Sequence, residues 1–189
     1  MGDEGMTLRA DLAVLLARTG IVDVDLDAAV ADEHVRSAVY QRVIPVIAAS
    51  VGRGDDREVA AAILRDPESL TAKTAVVALV DEIAEKTADP AAFRRWADEV
   101  LPEEELRQAG VDCEFIRQRI RDWEFALSVK DGRVPDPAEL AEVTDWMQRQ
   151  LAGNSSSLPL LGLLAESGRT RKIRNIAESR ARSLRPRTG

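Results

Sequence analysis

The chain has 189 residues, of which 45% are hydrophobic and 4% aromatic, so it is long enough for one packed domain and poor in the aromatic residues that strands favour. It carries one cysteine and one histidine, which excludes an intramolecular disulfide and any metal site or proton relay that needs two imidazoles. The net charge of −7 is unevenly distributed, because the 22 residues from Gly168 contain eight basic residues and one acidic residue. The sequence therefore combines an acidic body with a basic C-terminal segment.

The N-terminal residues and the apolar stretches predict a soluble, cytoplasmic protein. Residues 1–7 include Asp3 and Glu4 and lack the basic patch and apolar run of a secretory signal. The longest apolar stretches, 43–49 and 158–165, are far shorter than the roughly 20 residues that span a bilayer.

The first third of the chain predicts helices at 7–18, 32–51 and 56–64. Apolar residues at helical spacing and stop signals such as Gly20 support these assignments. The alternating run 21–27 is interpreted as an extended link that ends in an Asp27 cap, and Asp56 is expected to cap the third helix. Pro45 is expected to kink or divide the second helix, because proline removes a backbone donor and clashes with the preceding turn.

Aspartate followed by proline indicates further helix starts, since aspartate is a favoured N-cap and proline fits the first helical position. The three pairs are Asp66-Pro67, Asp89-Pro90 and Asp136-Pro137. The helices that follow them are predicted at 71–86, 90–100 and 137–151. Further helices are predicted at 102–109, 112–129, 158–166 and 170–184.

These elements predict an all-α fold, an irregular helical bundle or short helical array of roughly eight to ten helices that ends in a basic helical hairpin. Residues 153–157 are small, polar and unpatterned, and they are the candidate linker. The predicted organisation is an acidic helical body at 1–152, the linker at 153–157, and a C-terminal hairpin with its basic helix and tail at 158–189.

No motif in the sequence predicts a catalytic residue, a cofactor or a metal. Asp23, Asp25 and Asp27 have the spacing of the first half of a calcium loop. Ala28 and His34, however, occupy the positions where that loop needs glycine and a bidentate glutamate. An enzyme assembled from dispersed carboxylates and arginines stays open as an alternative.

The helix at 112–129 carries the lone cysteine and two phenylalanines. Cys113 shares a stripe with Ile116 and Leu127 and is predicted to be a buried, inert thiol. Phe115 and Phe125 fall on either side of that stripe, and we expect other helices to bury them.

The C-terminal helix is the segment that most indicates a function. One stripe is apolar and predicts docking onto the body: Ile173, Ile176, Ala177, Ala181 and Leu184. One flank, about 80° wide, is basic and is the predicted partner-binding surface: Arg171, Arg174, Arg182 and Arg185.

The favoured function is a non-catalytic protein-interaction or regulatory module that contacts an acidic protein surface, or a second copy of itself, through this helix. A nucleic-acid-binding regulator that uses the same arginines is the alternative, and a membrane-surface anchor is a third reading. The arginines could instead pair with carboxylates such as Glu103, Glu104 and Glu105, within the chain or on a neighbour.

Overall fold

The computed structural model describes residues 2–185, and within that range the chain forms twelve α-helices and no β-strand. The predicted all-α class is confirmed. The helices are α1 (Gly2–Thr19), α2 (Leu26–Ala31), α3 (Glu33–Ala49), α4 (Asp56–Leu64), α5 (Ser69–Lys86), α6 (Pro90–Val100), α7 (Glu103–Gln108), α8 (Cys113–Lys130), α9 (Pro137–Glu142), α10 (Asp145–Asn154), α11 (Leu158–Ser167) and α12 (Arg171–Leu184). Residues 186–189 of the predicted basic tail lie outside the described range.

Over the described residues, the structure has two helices more than the ten predicted ranges. The first of them, α2, begins within the run that was expected to be an extended link. Residues 21–25 are outside any helix, but Asp25 rather than Asp27 is the N-cap, and its carboxylate accepts a hydrogen bond from the Ala28 amide at 3.0 Å. Asp27 lies in the first turn of α2 and forms an ion pair with Arg9. The predicted Asp27 cap is therefore wrong by two residues.

The second additional helix arises because the predicted helix at 137–151 is divided into α9 and α10. The Thr144 amide donates to the buried Asp122 carboxylate at 3.1 Å, so it is not available to continue the helix that begins after Asp136. The Thr144 hydroxyl also accepts from the Met147 amide at 3.3 Å and caps α10. The predicted start at Asp136 is confirmed, since its side chain forms a capping box with Glu139.

Helix α3 continues through Pro45, so Pro45 does not divide the helix, and the alternative of a kink at this residue stays a prediction. Beyond its C-terminal end, Arg53 donates to the carbonyl oxygens of Ile47 at 3.4 Å and Ser50 at 2.8 Å, and it also bonds the Ala48 carbonyl. This side chain satisfies carbonyl groups that a helix end leaves without intrahelical partners.

The described chain divides into two compact units. The first contains the residues up to Thr87 together with Ala92–Arg119, and the second contains Ala88–Ala91 and the residues from Ile120 onward. The predicted linker at 153–157 lies inside the second unit, but Gly153 and Asn154 form the end of α10 and only residues 155–157 connect α10 to α11. The predicted organisation into a helical body at 1–152 and a C-terminal hairpin at 158–189 stays a prediction.

In the first unit, α3 packs against α5, and α1 contacts α2, α3 and α4. Val43 and Leu79 are fully buried on α3 and α5. In the second unit, α11 and α12 pack together and α10 packs against α12. These three helices pack around an apolar cluster to which α8 and α9 also contribute: Val129, Leu140, Ala152, Leu160, Leu161, Leu164, Ile173 and Ala177. No described helix is long and apolar enough to cross a membrane.

A buried ion pair joins α3 to the connection between α4 and α5. Arg36 Nε donates to Asp66 Oδ2 at 2.6 Å and Arg36 Nη2 to Oδ1 at 3.1 Å, and the two side chains are 4% and 0% exposed. Tyr40 donates its hydroxyl to the same carboxylate at 3.0 Å, and burial raises the pKa of that hydroxyl. The Asp66 carboxylate is thus engaged by Arg36 and Tyr40. The N-cap of α5 is Glu68, so the predicted Asp66 cap is wrong.

A second buried carboxylate, Asp56, lies at the start of α4. The sequence predicted that it caps this helix, but the N-cap is Asp55, and Asp56 instead accepts the Trp96 indole N–H at 2.8 Å. Arg53 approaches the same oxygen at 3.4 Å. Burial raises the pKa of Asp56, and the bonds from Trp96 and Arg53 only partly oppose that effect.

This raised pKa predicts how stability responds to pH. The native state holds the Asp56 proton to higher pH than the unfolded state does, so its contribution to the free energy of unfolding is lost as pH rises through the native pKa. We expect Asp56→Asn, which keeps an acceptor for Trp96, to flatten the decline in stability above about pH 4. Thermal melts from acid to neutral pH measure this, with the exposed neighbour Asp55→Asn as the control. Identical pH profiles for wild type and Asp56→Asn would contradict the assignment.

Candidate functional site

The basic helix α12 is held in a hairpin with α11 whose local sequence specifies both ends. Ser157 caps α11 by accepting from the Leu160 amide at 3.4 Å, and Thr170 caps α12 by accepting from the Ile173 amide at 3.2 Å. The predicted docking stripe is confirmed. Ile173 and Ala177 are buried in the cluster of the second unit, and three partly buried residues pack against it: Ile176, Ala181 and Leu184.

The turn between α11 and α12 depends on Gly168, which is buried. A Cβ at this position would lie 2.4 Å from the Leu164 carbonyl oxygen and 2.9 Å from Ile173 Cγ2. The Gly168 amide donates to that same carbonyl at 2.9 Å and ends α11. The close approach of the two helices at this point is therefore compatible only with glycine.

Gln148, which the sequence did not single out, connects α12 to the rest of the unit. Its side chain is buried, and its amide nitrogen donates to the carbonyls of Leu140 at 2.9 Å and Val143 at 3.1 Å. Its amide oxygen accepts from the Arg169 backbone N–H at 2.9 Å. The Gln148 side chain thus provides a donor for two carbonyl groups at the end of α9. It also holds the backbone of Arg169, the residue that precedes the Thr170 cap of α12.

The four predicted arginines differ in their availability. Arg171 and Arg185 are exposed and form no hydrogen bond or ion pair with any residue in the described range. Arg174 is half-buried and donates to the Gly168 carbonyl at 2.7 Å, so it is part of the hairpin turn. Arg182 is exposed but bonded to Glu178, one turn earlier, at 2.9 Å.

A shallow groove of about 680 Å³ runs along α12 and the end of α10. Its lining contains basic, amide and hydroxyl groups but no carboxylate: Gly153, Arg171, Lys172, Asn175, Ile176, Ser179, Arg180 and Ser183. Lys172 is exposed and, within residues 2–185, has no bonded partner. Arg180 is half-buried and donates to the Ser155 carbonyl at 3.3 Å. Of these cations only Arg171 was predicted from the sequence, because the prediction followed the neighbouring flank of the helix.

The acidic residues of α7 already have arginine partners in their own unit. Arg57 bonds Glu105 at 2.6 Å, and Glu103 is held by Arg107 and Arg117, each at 2.7 Å. Arg107 also pairs with Glu104. These carboxylates therefore already have ion-pair partners other than the arginines of α12.

The structure also gives the burial and contacts of the other residues that the sequence analysis considered, which are Cys113, Phe115, Phe125 and His34. The predicted full burial of Cys113 is wrong, because its side chain is only partly buried, and its thiol donates to the Val111 carbonyl oxygen at 3.6 Å. The expected burial of Phe115 is wrong, because its side chain is 44% exposed, with the Lys73 ammonium 4.1 Å from the ring centroid. Phe125 is partly buried and packs against the apolar cluster of the second unit. His34 is exposed at the start of α3.

Across the described residues, no group of three His, Cys, Asp or Glu side chains could hold a metal ion. The three aspartates with calcium-loop spacing have separate roles, since Asp23 pairs with Arg42, Asp25 caps α2 and Asp27 pairs with Arg9.

No family model, curated protein or solved structure matches the chain. Its function is therefore inferred from the charges and contacts of the chain itself.

Proposed function

We propose that this protein is a non-catalytic interaction or regulatory module that binds an acidic protein partner through the basic surface of α12. The observation that carries the proposal is that Arg171, Lys172 and Arg185 are exposed and unbonded within the described range, on a helix whose opposite face is docked. A docked helix fixes the backbone positions of its cations, so little backbone conformational entropy is lost when a partner binds.

The contrast with the first unit supports this proposal. There, exposed arginines such as Arg9, Arg42, Arg57 and Arg65 each have a carboxylate partner. A chain with more acidic than basic residues can pair most of its cations internally. Cations left without partners beside a groove that has no carboxylate create a positive potential, which attracts an anionic partner and speeds association.

Nucleic acid is the alternative anionic partner, and the basic, amide and hydroxyl side chains of the groove favour it. Arginine, lysine, asparagine and serine all contact phosphate oxygens in nucleic-acid complexes. The groove lining contains no aromatic side chain, however, and single-stranded nucleic acid is bound largely by stacking on aromatic rings.

The test is charge reversal at Arg171 and Lys172, which line the groove and have no described bond to lose. We expect Arg171→Glu/Lys172→Glu to bind its partner at least tenfold more weakly, with the melting temperature nearly unchanged, because surface charges away from packed contacts contribute little to folding. The matched control is Lys130→Glu/Arg149→Glu, which reverses two exposed cations elsewhere in the same unit.

The measurement is affinity capture from the native host, with bound proteins identified by mass spectrometry and then titrated against both variants. An acidic protein that is lost only with the groove variant supports the proposal. Equal capture by the wild type and the groove variant would show that α12 is not the binding surface. Binding to duplex DNA that weakens steeply and log-linearly with salt would instead establish the alternative, because that slope reports counterion release.

A further inference from the structure

Helix α1 exposes an apolar face that no described part of the chain covers. Met6 is 66% exposed and Val14 is 49% exposed, and three exposed alanines lie between and beside them: Ala10, Ala13 and Ala17. At 100° per residue these five side chains fall within about 100° of one another, and they extend for about 16 Å along the helix. The opposite face of α1 is the buried one: Leu8, Leu12, Leu15 and Leu16.

This face is also free of charge over three turns. The charged side chains of α1 from residue 5 onward are Arg9, Asp11 and Arg18. Each has a partner in its own unit, because Arg9 pairs with Asp27, Asp11 is bonded by Arg65 at 2.6 Å, and Arg18 lies 2.7 Å from Asp55. In a chain with 31% charged residues, the exposed side of a surface helix ordinarily carries charge.

The spacing of the face is self-complementary for an antiparallel pair of helices. Met6, Ala10, Ala13 and Ala17 follow one another at intervals of four, three and four residues, which read the same in both directions. A two-fold axis midway between positions 10 and 13 therefore places Met6 opposite Ala17 and Ala10 opposite Ala13 of the second copy. A large side chain then meets a small one, and small residues let the helix axes approach closely.

We propose that α1 is a weak, reversible homodimerisation surface on which a second copy of α1 packs antiparallel around this two-fold axis. The occupant is a second copy because a two-fold interface must complement itself, and because the neutralised flanks let two chains of net charge −7 meet there without breaking an ion pair. One helix face of three turns is smaller than the roughly 800 Å² per partner of a stable interface, so the dimer dissociates on dilution. This inference uses a different surface from α12 and does not depend on the proposed function.

Sedimentation velocity of the full chain tests the proposal, from about 10 μM to several hundred μM, the range in which a small interface associates. We expect the dimer fraction to rise with concentration and Ala13→Glu to raise the dissociation constant at least tenfold, because each glutamate would be pressed against Ala10 of the second copy and would lose its hydration there. Ala38→Glu is the matched control, since it adds the same charge at an exposed alanine of α3 in the same unit.

Disulfide trapping in a Cys113→Ser background tests the orientation. Equal amounts of chains carrying Ala10→Cys and chains carrying Ala13→Cys are mixed, and we expect the mixed disulfide to exceed the sum of the two homodimeric products, which it would only equal if pairing were random. The reason is that positions 10 and 13 face each other in the antiparallel pair. A monomer at every concentration, or a dimer equally sensitive to Ala13→Glu and Ala38→Glu, would overturn the proposal. Preferential 10-to-10 and 13-to-13 products would overturn the antiparallel pairing.

Discussion

Arg36→Met is expected to destabilise the first unit by about 3–5 kcal/mol, which is the cost of leaving one partner of a buried ion pair without its counter-charge. Without the guanidinium, the Asp66 carboxylate stays fully buried with only the Tyr40 hydroxyl and the Glu68 amide as donors. The Ala29 carbonyl at the end of α2 also loses its 3.0 Å bond from Arg36 Nη1. Urea unfolding, monitored by circular dichroism, measures the loss.

Two further variants separate a buried charge from a missing arginine. In Arg36→Met/Asp66→Asn no charge remains in the interior, while the asparagine oxygen can still accept a hydrogen bond, so we expect the double variant to be more stable than Arg36→Met alone. Arg42→Met removes an exposed arginine of the same helix that pairs with Asp23, and we expect it to cost less than about 1 kcal/mol. Equal losses for Arg36→Met and Arg42→Met would show that the buried pair contributes no more than a surface pair.

Gly168→Ala is expected to cost about 3 kcal/mol and to loosen α12, because the added methyl group meets the Leu164 carbonyl oxygen at 2.4 Å and the helix ends must move apart. Gly168 is also the acceptor for Arg174 Nη1, so a shift of the turn disturbs that bond as well. Hydrogen exchange of the α12 amides, measured alongside thermal unfolding, should show faster exchange in the variant.

Gly162→Ala is the matched control for this glycine. Gly162 lies within α11, where an added Cβ would meet no atom of a neighbouring segment within 4 Å. Alanine has the higher helix propensity by about 0.8–1.0 kcal/mol, so we expect this substitution to stabilise the unit. If both substitutions stabilised the protein, the close packing at the turn would not constrain the hairpin.

Elements whose signals are local were predictable from the sequence. The helix at 90–100 was placed with both of its ends, and the docking stripe of α12 was identified residue by residue, because helical periodicity and caps act within a few residues. Asp136 was predicted as a cap and is one, with Glu139 completing the box. These interactions depend on neighbours along the chain and need no knowledge of tertiary packing.

The same local rule was wrong at Asp66 and Asp56, and the reason is tertiary. Both aspartates stand where a cap is expected, yet Asp66 is bonded by Arg36, 30 residues earlier, and Asp56 by Trp96, 40 residues later. A capping bond to an exposed backbone amide contributes about 1 kcal/mol. A buried partner that satisfies a charged group outweighs it, because an unpaired buried carboxylate costs several kcal/mol.

For the candidate site, the sequence by itself determined that the last helix is basic, amphipathic and docked, since these properties follow from the order of residues on a 3.6-residue helix. Only the tertiary structure decided which cations are available. It engages Arg174 with the Gly168 carbonyl, leaves Arg171 without a described partner, and places Lys172 in the groove beside α10. The helical periodicity sets the direction of each side chain, but whether a carbonyl or carboxylate meets it depends on segments that folding brings together from elsewhere in the chain.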